Sequence, residues 1–145
     1  MNRRFVKAWK KRKGELEAFI KSTPQKEYDE YIKLVKLIVE VIINQEFEEW
    51  EFKFDKDKIH EIDDGDYQGT LVFLIPEDAY QPHKYIITSV CYGSCSCCDT
   101  LQGIQGYEDG FPTEKQVDGY MELCLHLLQK MHTYDAWEGT FDGDE

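Results

Sequence analysis

The sequence predicts an α+β fold, in which a small antiparallel sheet of three to four strands packs against two N-terminal helices and one C-terminal helix. Three observations carry this expectation. Apolar residues recur at helical spacing near both ends of the chain. Between those segments they alternate or gather in short β-branched and aromatic runs. The 145 residues, 41% hydrophobic and 14% aromatic, supply one core and leave little room for another, so residues 1–145 read as a single domain.

The first helix is expected over residues 3–21. Phe5, Trp9, Leu16, Phe19 and Ile20 fall on one face, lysines and arginines cover the other, and Gly14 is its weak point. Thr23-Pro24 then reads as the start of a second helix, because threonine can accept an orphan amide and proline lacks none that the first turn needs. Tyr28, Tyr31, Ile32, Val35, Ile38, Val39 and Ile42 carry this helix to about Asn44, and Leu34, Leu37 and Val41 widen its apolar arc into that of a central element.

Trp50, Phe52 and Phe54 alternate with Glu51, Lys53 and Asp55, the period of a half-buried strand, and Lys58–Ile62 is a further candidate beside it. Tyr67–Ile75, closed by Pro76, and His83–Tyr92 are expected to pair as an antiparallel hairpin. Gly93 ends that hairpin, and Ser94–Gly110 lacks periodicity, so it reads as a loop with one helical turn. Thr113 and Gln116 match a capping box, after which Val117, Tyr120, Met121, Cys124, Leu127, Leu128 and Met131 form the buried stripe of a helix over 114–132. Tyr134 and Trp137 are expected to fold back onto the domain, and 139–145 to form an acidic, frayed tail.

Charge is strongly segregated. Arg3, Arg4, Lys7, Lys10, Lys11, Arg12 and Lys13 precede the first acid, Glu15, which leaves ten bases against 29 acids and a formal −19 over residues 15–145. Such a surface repels nucleic-acid backbones and suits a basic protein partner. The basic helix has an internal counterpart, since residues 46–66 hold ten acids against Lys53, Lys56 and Lys58. No direct binding of nucleic acid is expected. Lys36 and Glu40 interrupt the longest apolar stretch, Leu34–Ile43, well short of the ~18 residues of a membrane span. No apolar run of signal-peptide type follows the charged N-terminus, and the cytoplasm is the expected location.

The locally unusual segment is Cys91-Tyr92-Gly93-Ser94-Cys95-Ser96-Cys97-Cys98-Asp99, where a strand empties into a loop. Cys95 and Cys98 have the C-x-x-C spacing that brings two thiolates to one zinc ion, and Cys91, Cys124, His83 or His126 are the available completions. A second spaced pair is lacking, and Cys124 lies on an apolar helical stripe, where it reads as a small core residue. Zinc on Cys91, Cys95 and Cys98 is therefore the one cofactor the residues admit, against ordinary loop cysteines with no cofactor. A redox pair fits less well, because Asp99, Glu108 and Asp109 oppose a thiolate. No nucleophile–histidine pattern or phosphate loop is present, so a thiol-dependent enzyme is the third reading and a catalytic role is not expected.

Tyr92-Gly93-Ser94-Cys95-Ser96 followed by Cys98-Asp99-Thr100-Leu101-Gln102, with Gly69–Pro76 upstream, resembles a motif of small uncharacterised proteins of bacteriophages and their hosts. Cys97 departs from it, standing where a glycine is expected. The resemblance implies a setting rather than an activity: a small acidic protein, made in the host cytoplasm, that binds and modulates a host protein such as a nucleic-acid-handling or defence protein. The functional expectation is accordingly a non-enzymatic acidic binder, with a small zinc-binding domain as the alternative.

Overall fold

A computed structural model describes residues 3–25, 30–48, 51, 53–63, 65, 69–93, 100–105 and 110–141. Among these residues four α-helices, α1 (Arg3–Lys21), α2 (Tyr31–Ile38), α3 (Thr100–Gln105) and α4 (Glu114–Gln129), accompany one antiparallel sheet. Its strands follow chain order: β1 (His60–Asp63), β2 (Gly69–Pro76), β3 (Lys84–Tyr92), β4 (His132–Asp135) and the two-residue β5 (Thr140–Phe141). The expected α+β class is observed, with long helices before the sheet and one after its central hairpin.

The side chains dictate which face of each element turns inward. Helix α1 buries Phe5, Ala8, Trp9, Leu16 and Ile20, a stripe that follows the helical repeat. Phe19 sits at the border of that stripe and is 46% exposed, which corrects the expectation that it docks. The end of α1 also corrects the reading of Thr23. Its hydroxyl donates to the Phe19 carbonyl at 2.8 Å, and Ser22 donates to the same carbonyl at 3.1 Å. A threonine oxygen that could cap the next helix instead satisfies an orphan carbonyl of the last.

Helix α2 consequently starts at Tyr31, with Glu30 as its N-cap, rather than at Pro24. Residues 26–29 of the expected helix lie outside the described ones. Beyond Ile38 the helical path continues through a π-turn, Val39–Ile43, and a 3-10 turn, Asn44–Glu46, so its expected end near Asn44 is met. Leu34, Val35, Ile38, Val39, Ile42 and Ile43 are all buried, as a central helix requires.

Trp50 and Phe52 of the expected strand over 50–54 lie outside the described residues, and among those described only Phe54 pairs, in a single bridge to Glu77. The Asn44 amide takes the other side of Phe54. Its Oδ1 accepts from the Phe54 amide and its Nδ2 donates to the Phe54 carbonyl, both at 2.9 Å, occupying the edge a further strand would use. The second candidate forms two residues later than read, as His60–Asp63.

The central hairpin forms as expected, β2 on β3, with Phe73 opposite Thr88 and Ile75 opposite Ile86. Those residues and Val90 face the helical layer, and the Thr88 hydroxyl donates to the Leu127 carbonyl of α4 at 2.7 Å. Helix α4 opens on the expected capping box: Thr113 Oγ1 accepts from the Gln116 amide and Gln116 Oε1 from the Thr113 amide. Gln116 Nε2 also donates to the Ile104 carbonyl and ties α3 to α4.

The C-terminal segment departs from expectation. Helix α4 stops at Gln129 instead of 132, and His132–Asp135 adds to β3 with Ile86 opposite Thr133. Gly139, at φ +69°, turns the chain so that Thr140–Phe141 pairs with β4, which corrects the start of the frayed tail. Residues 142–145 lie outside the described ones.

Candidate functional site

The cysteines singled out by sequence do not assemble among the described residues. Cys91 is exposed near the end of β3, opposite Thr70. Cys95 and Cys98, the other expected zinc ligands, lie outside the described residues, as does Cys97. Cys124 is fully buried, and desolvation pushes its thiol up to about 12, so it is neither a ready ligand nor a nucleophile at neutral pH. His83 cannot complete a site with Cys91: eight residues of extended chain separate them, about 26 Å at a rise of about 3.3 Å per residue. No group of three His, Cys, Asp or Glu side chains among the described residues is placed to hold a metal ion.

A different constellation forms where β2, β3 and β4 end together. The Glu77 amide donates to the Lys84 carbonyl at 3.0 Å, and the Ala136 amide to the His83 carbonyl at 2.6 Å, which fixes the backbone on both sides of His83. Its imidazole lies between two carboxylates. Nδ1 is 3.3 Å from Asp135 Oδ1, and Nε2 is 3.7 Å from Glu77 Oε1. The two acids address opposite ring nitrogens, so they do not converge on one ion, and only the doubly protonated ring can donate toward both. Glu77 is buried, and its Oε1 has no hydrogen-bond partner.

Asp135 organises the turn that follows β4. Its Oδ1 accepts from the Trp137 amide at 3.0 Å and the Glu138 amide at 3.3 Å, while the Gly139 amide donates to the Asp135 carbonyl at 2.7 Å. Partial desolvation pushes its carboxyl up, but the His83 hydrogen bond, the two backbone amides and the His83 charge outweigh it and hold Asp135 below its usual range. This turn sets the Trp137 indole on the imidazole, with ring centroids 3.6 Å apart and planes 6° from parallel. The indole is nevertheless 78% exposed. Trp137 thus folds back onto His83 rather than into the core.

Among the described residues the groups that face the His83 nitrogens are the carboxylates of Asp135 and Glu77, which makes the arrangement a histidine clamp. Sequence reasoning had singled out His83 only as a zinc partner. Glu77, His83 and Asp135 meet through strand register, Lys84 opposite Asp135, with 52 positions between His83 and Asp135, and no local pattern announces it.

The charged helix forms the second feature. Arg4 donates to both Glu51 oxygens, at 2.9 and 3.2 Å, and to the Glu46 carbonyl at 3.0 Å, and it lies 4.3 Å over the Phe47 ring. Arg12 Nε and Lys11 Nζ stand 3.5 and 3.9 Å from Glu46 Oε1. The Arg4 hydrogen bond, then the Glu48 amide, hold Glu51 below its usual range, against some desolvation. Glu61 goes the other way: desolvation first, then the charges of Glu30 and Asp63, hold its carboxyl above the usual range.

Comparison of the chain with protein-family models, with curated proteins and with solved structures gives no match. The functional reading therefore starts from the charges and the exposed rings.

Proposed function

We propose that this chain is a non-enzymatic, acidic protein of the phage type, which binds and modulates a host protein through that protein's basic surface. One observation carries the reading: bases of the first helix are taken up by acids of the same chain, and the chain still keeps a net acidic excess. Arg4, Lys11 and Arg12 of the basic helix are engaged by Glu46 and Glu51 of the same chain. At β1, desolvation first, and then the charges of Glu30 and Asp63, hold Glu61 above its usual range. A net charge of −12 then favours a cationic partner over a nucleic acid, and long-range attraction speeds the encounter. The resemblance at Tyr92–Gln102 and Gly69–Pro76 supports a phage setting, with the host cytoplasm as the place of action.

The test is affinity capture from bacterial lysate with the full chain as bait. The expected result is retention of a discrete basic protein at physiological salt and its release as salt is raised. Capture of no basic protein, or capture insensitive to salt, overturns the reading.

A further inference from the structure

We infer that the outer face of Trp137 is a docking platform for an arginine side chain of a basic protein partner. The inference rests on the reading above and names the place where that partner is gripped.

An exposed tryptophan is ordinarily a mobile liability, and this one is held. Its amide is bonded to Asp135, the positive-φ Gly139 closes its turn, and one ring face lies on His83. His83 is in turn held by the hydrogen bond of its Nδ1 to Asp135, with the Glu77 carboxylate 3.7 Å from Nε2. Binding therefore immobilises little that is not already fixed, which is the condition under which an exposed aromatic contributes most. The indole has two faces, and its 78% exposure leaves the second open to solvent.

The chemistry of that open face selects a cation. Indole is the best of the aromatic rings for a positive charge placed over its plane. The anions nearby strengthen the preference: Asp135 and Glu77 flank the ring nitrogens of His83, and exposed Glu138 and Asp78 adjoin Trp137 and Glu77 in the chain. Two bases stand nearby, Lys84 opposite Asp135 and His83 under the indole, and His83 faces the carboxylates of Asp135 and Glu77. Guanidinium fits better than ammonium, because it is planar, sheds water more readily and can stack on the ring while donating to a carboxylate. Tyr80, 97% exposed in the β2–β3 connection that also carries Glu77 and His83, supplies a second aromatic at the same end of the hairpin.

The experiment titrates the full chain with a glycine-spaced arginine peptide, and with the same peptide carrying uncharged citrulline, at physiological salt. Binding is followed by calorimetry and by the indole N–H resonance of Trp137. The arginine peptide is expected to bind and to shift that resonance, and the citrulline peptide to do neither. Trp137→Ala should weaken binding at least tenfold, while Trp137→Phe, which keeps a ring, should fall between; thermal melts establish that both variants fold. No binding of the arginine peptide to the wild-type chain, or equal binding by Trp137→Ala, overturns the inference. If Trp137→Ala still captures the basic host protein with wild-type strength, the platform falls while the acidic-binder reading stands. Loss of all basic capture by the wild-type chain removes the parent reading instead.

Discussion

The imidazole of His83 and the indole of Trp137 are stacked 3.6 Å apart, centroid to centroid, and within 6° of parallel. Aromatic pairs in favourable geometry are worth about 0.5–1.5 kcal/mol beyond their buried area, and a face-to-face stack as close as this one belongs at the lower end. A double-mutant cycle of His83→Ala and Trp137→Ala, read by chemical denaturation, should return a coupling energy of that size. A coupling near zero would mean that the two rings are neighbours without an interaction.

Asp135 ties this stack to pH. Its carboxyl is held below the usual value for aspartate, so the unfolded chain takes up the proton first as pH falls. The stabilisation is therefore fully present above about pH 4, the unfolded value, and is lost as pH drops through the lower folded one. Asp135→Asn keeps an oxygen for the Trp137 and Glu138 amides but removes the titration. Its melting temperature should fall less steeply than wild type below about pH 4. Parallel curves would show that Asp135 contributes no such linkage.

Within α1, burial separates two residues of similar hydrophobicity. Leu16 is fully buried, and Leu16→Ala should cost about 2–5 kcal/mol. Phe19, half in water, should cost far less on truncation. Gly14 has open space where a Cβ would stand, so Gly14→Ala should stabilise by about 0.5–1 kcal/mol. Gly119 in α4 offers no such gain without movement, because its Cβ would meet Ile104 at 3.0 Å. Denaturation midpoints of the variants check all of these.

These differences mark how far the sequence could be read. Helices α1 and α4 and the β2–β3 hairpin were legible because their signals are local: a repeating stripe, a Thr113–Gln116 box, a β-branched run ended by Pro76. Thr23 misled because a hydroxyl both accepts and donates, and the choice was made by the Phe19 carbonyl of the preceding helix. Strand β4 was hidden by its shortness and by Met131, which continues the apolar stripe of α4 past the helix end. The clamp around His83 was illegible for a different reason. Glu77, His83 and Asp135 mean nothing until three strands end side by side, and the cysteine spacing drew attention elsewhere.

The most direct test of the acidic-binder reading needs no partner in hand. Titration of the full chain with fluorescently labelled duplex DNA, followed by anisotropy at physiological salt, asks whether the basic face of α1 is available to a polyanion. With Arg4, Lys11 and Arg12 engaged by Glu46 and Glu51, and with a net charge of −12, no saturable binding is expected. Tight, salt-sensitive binding of the duplex would contradict the account, because it would make α1 a nucleic-acid arm rather than a helix whose Arg4, Lys11 and Arg12 are engaged by its own chain.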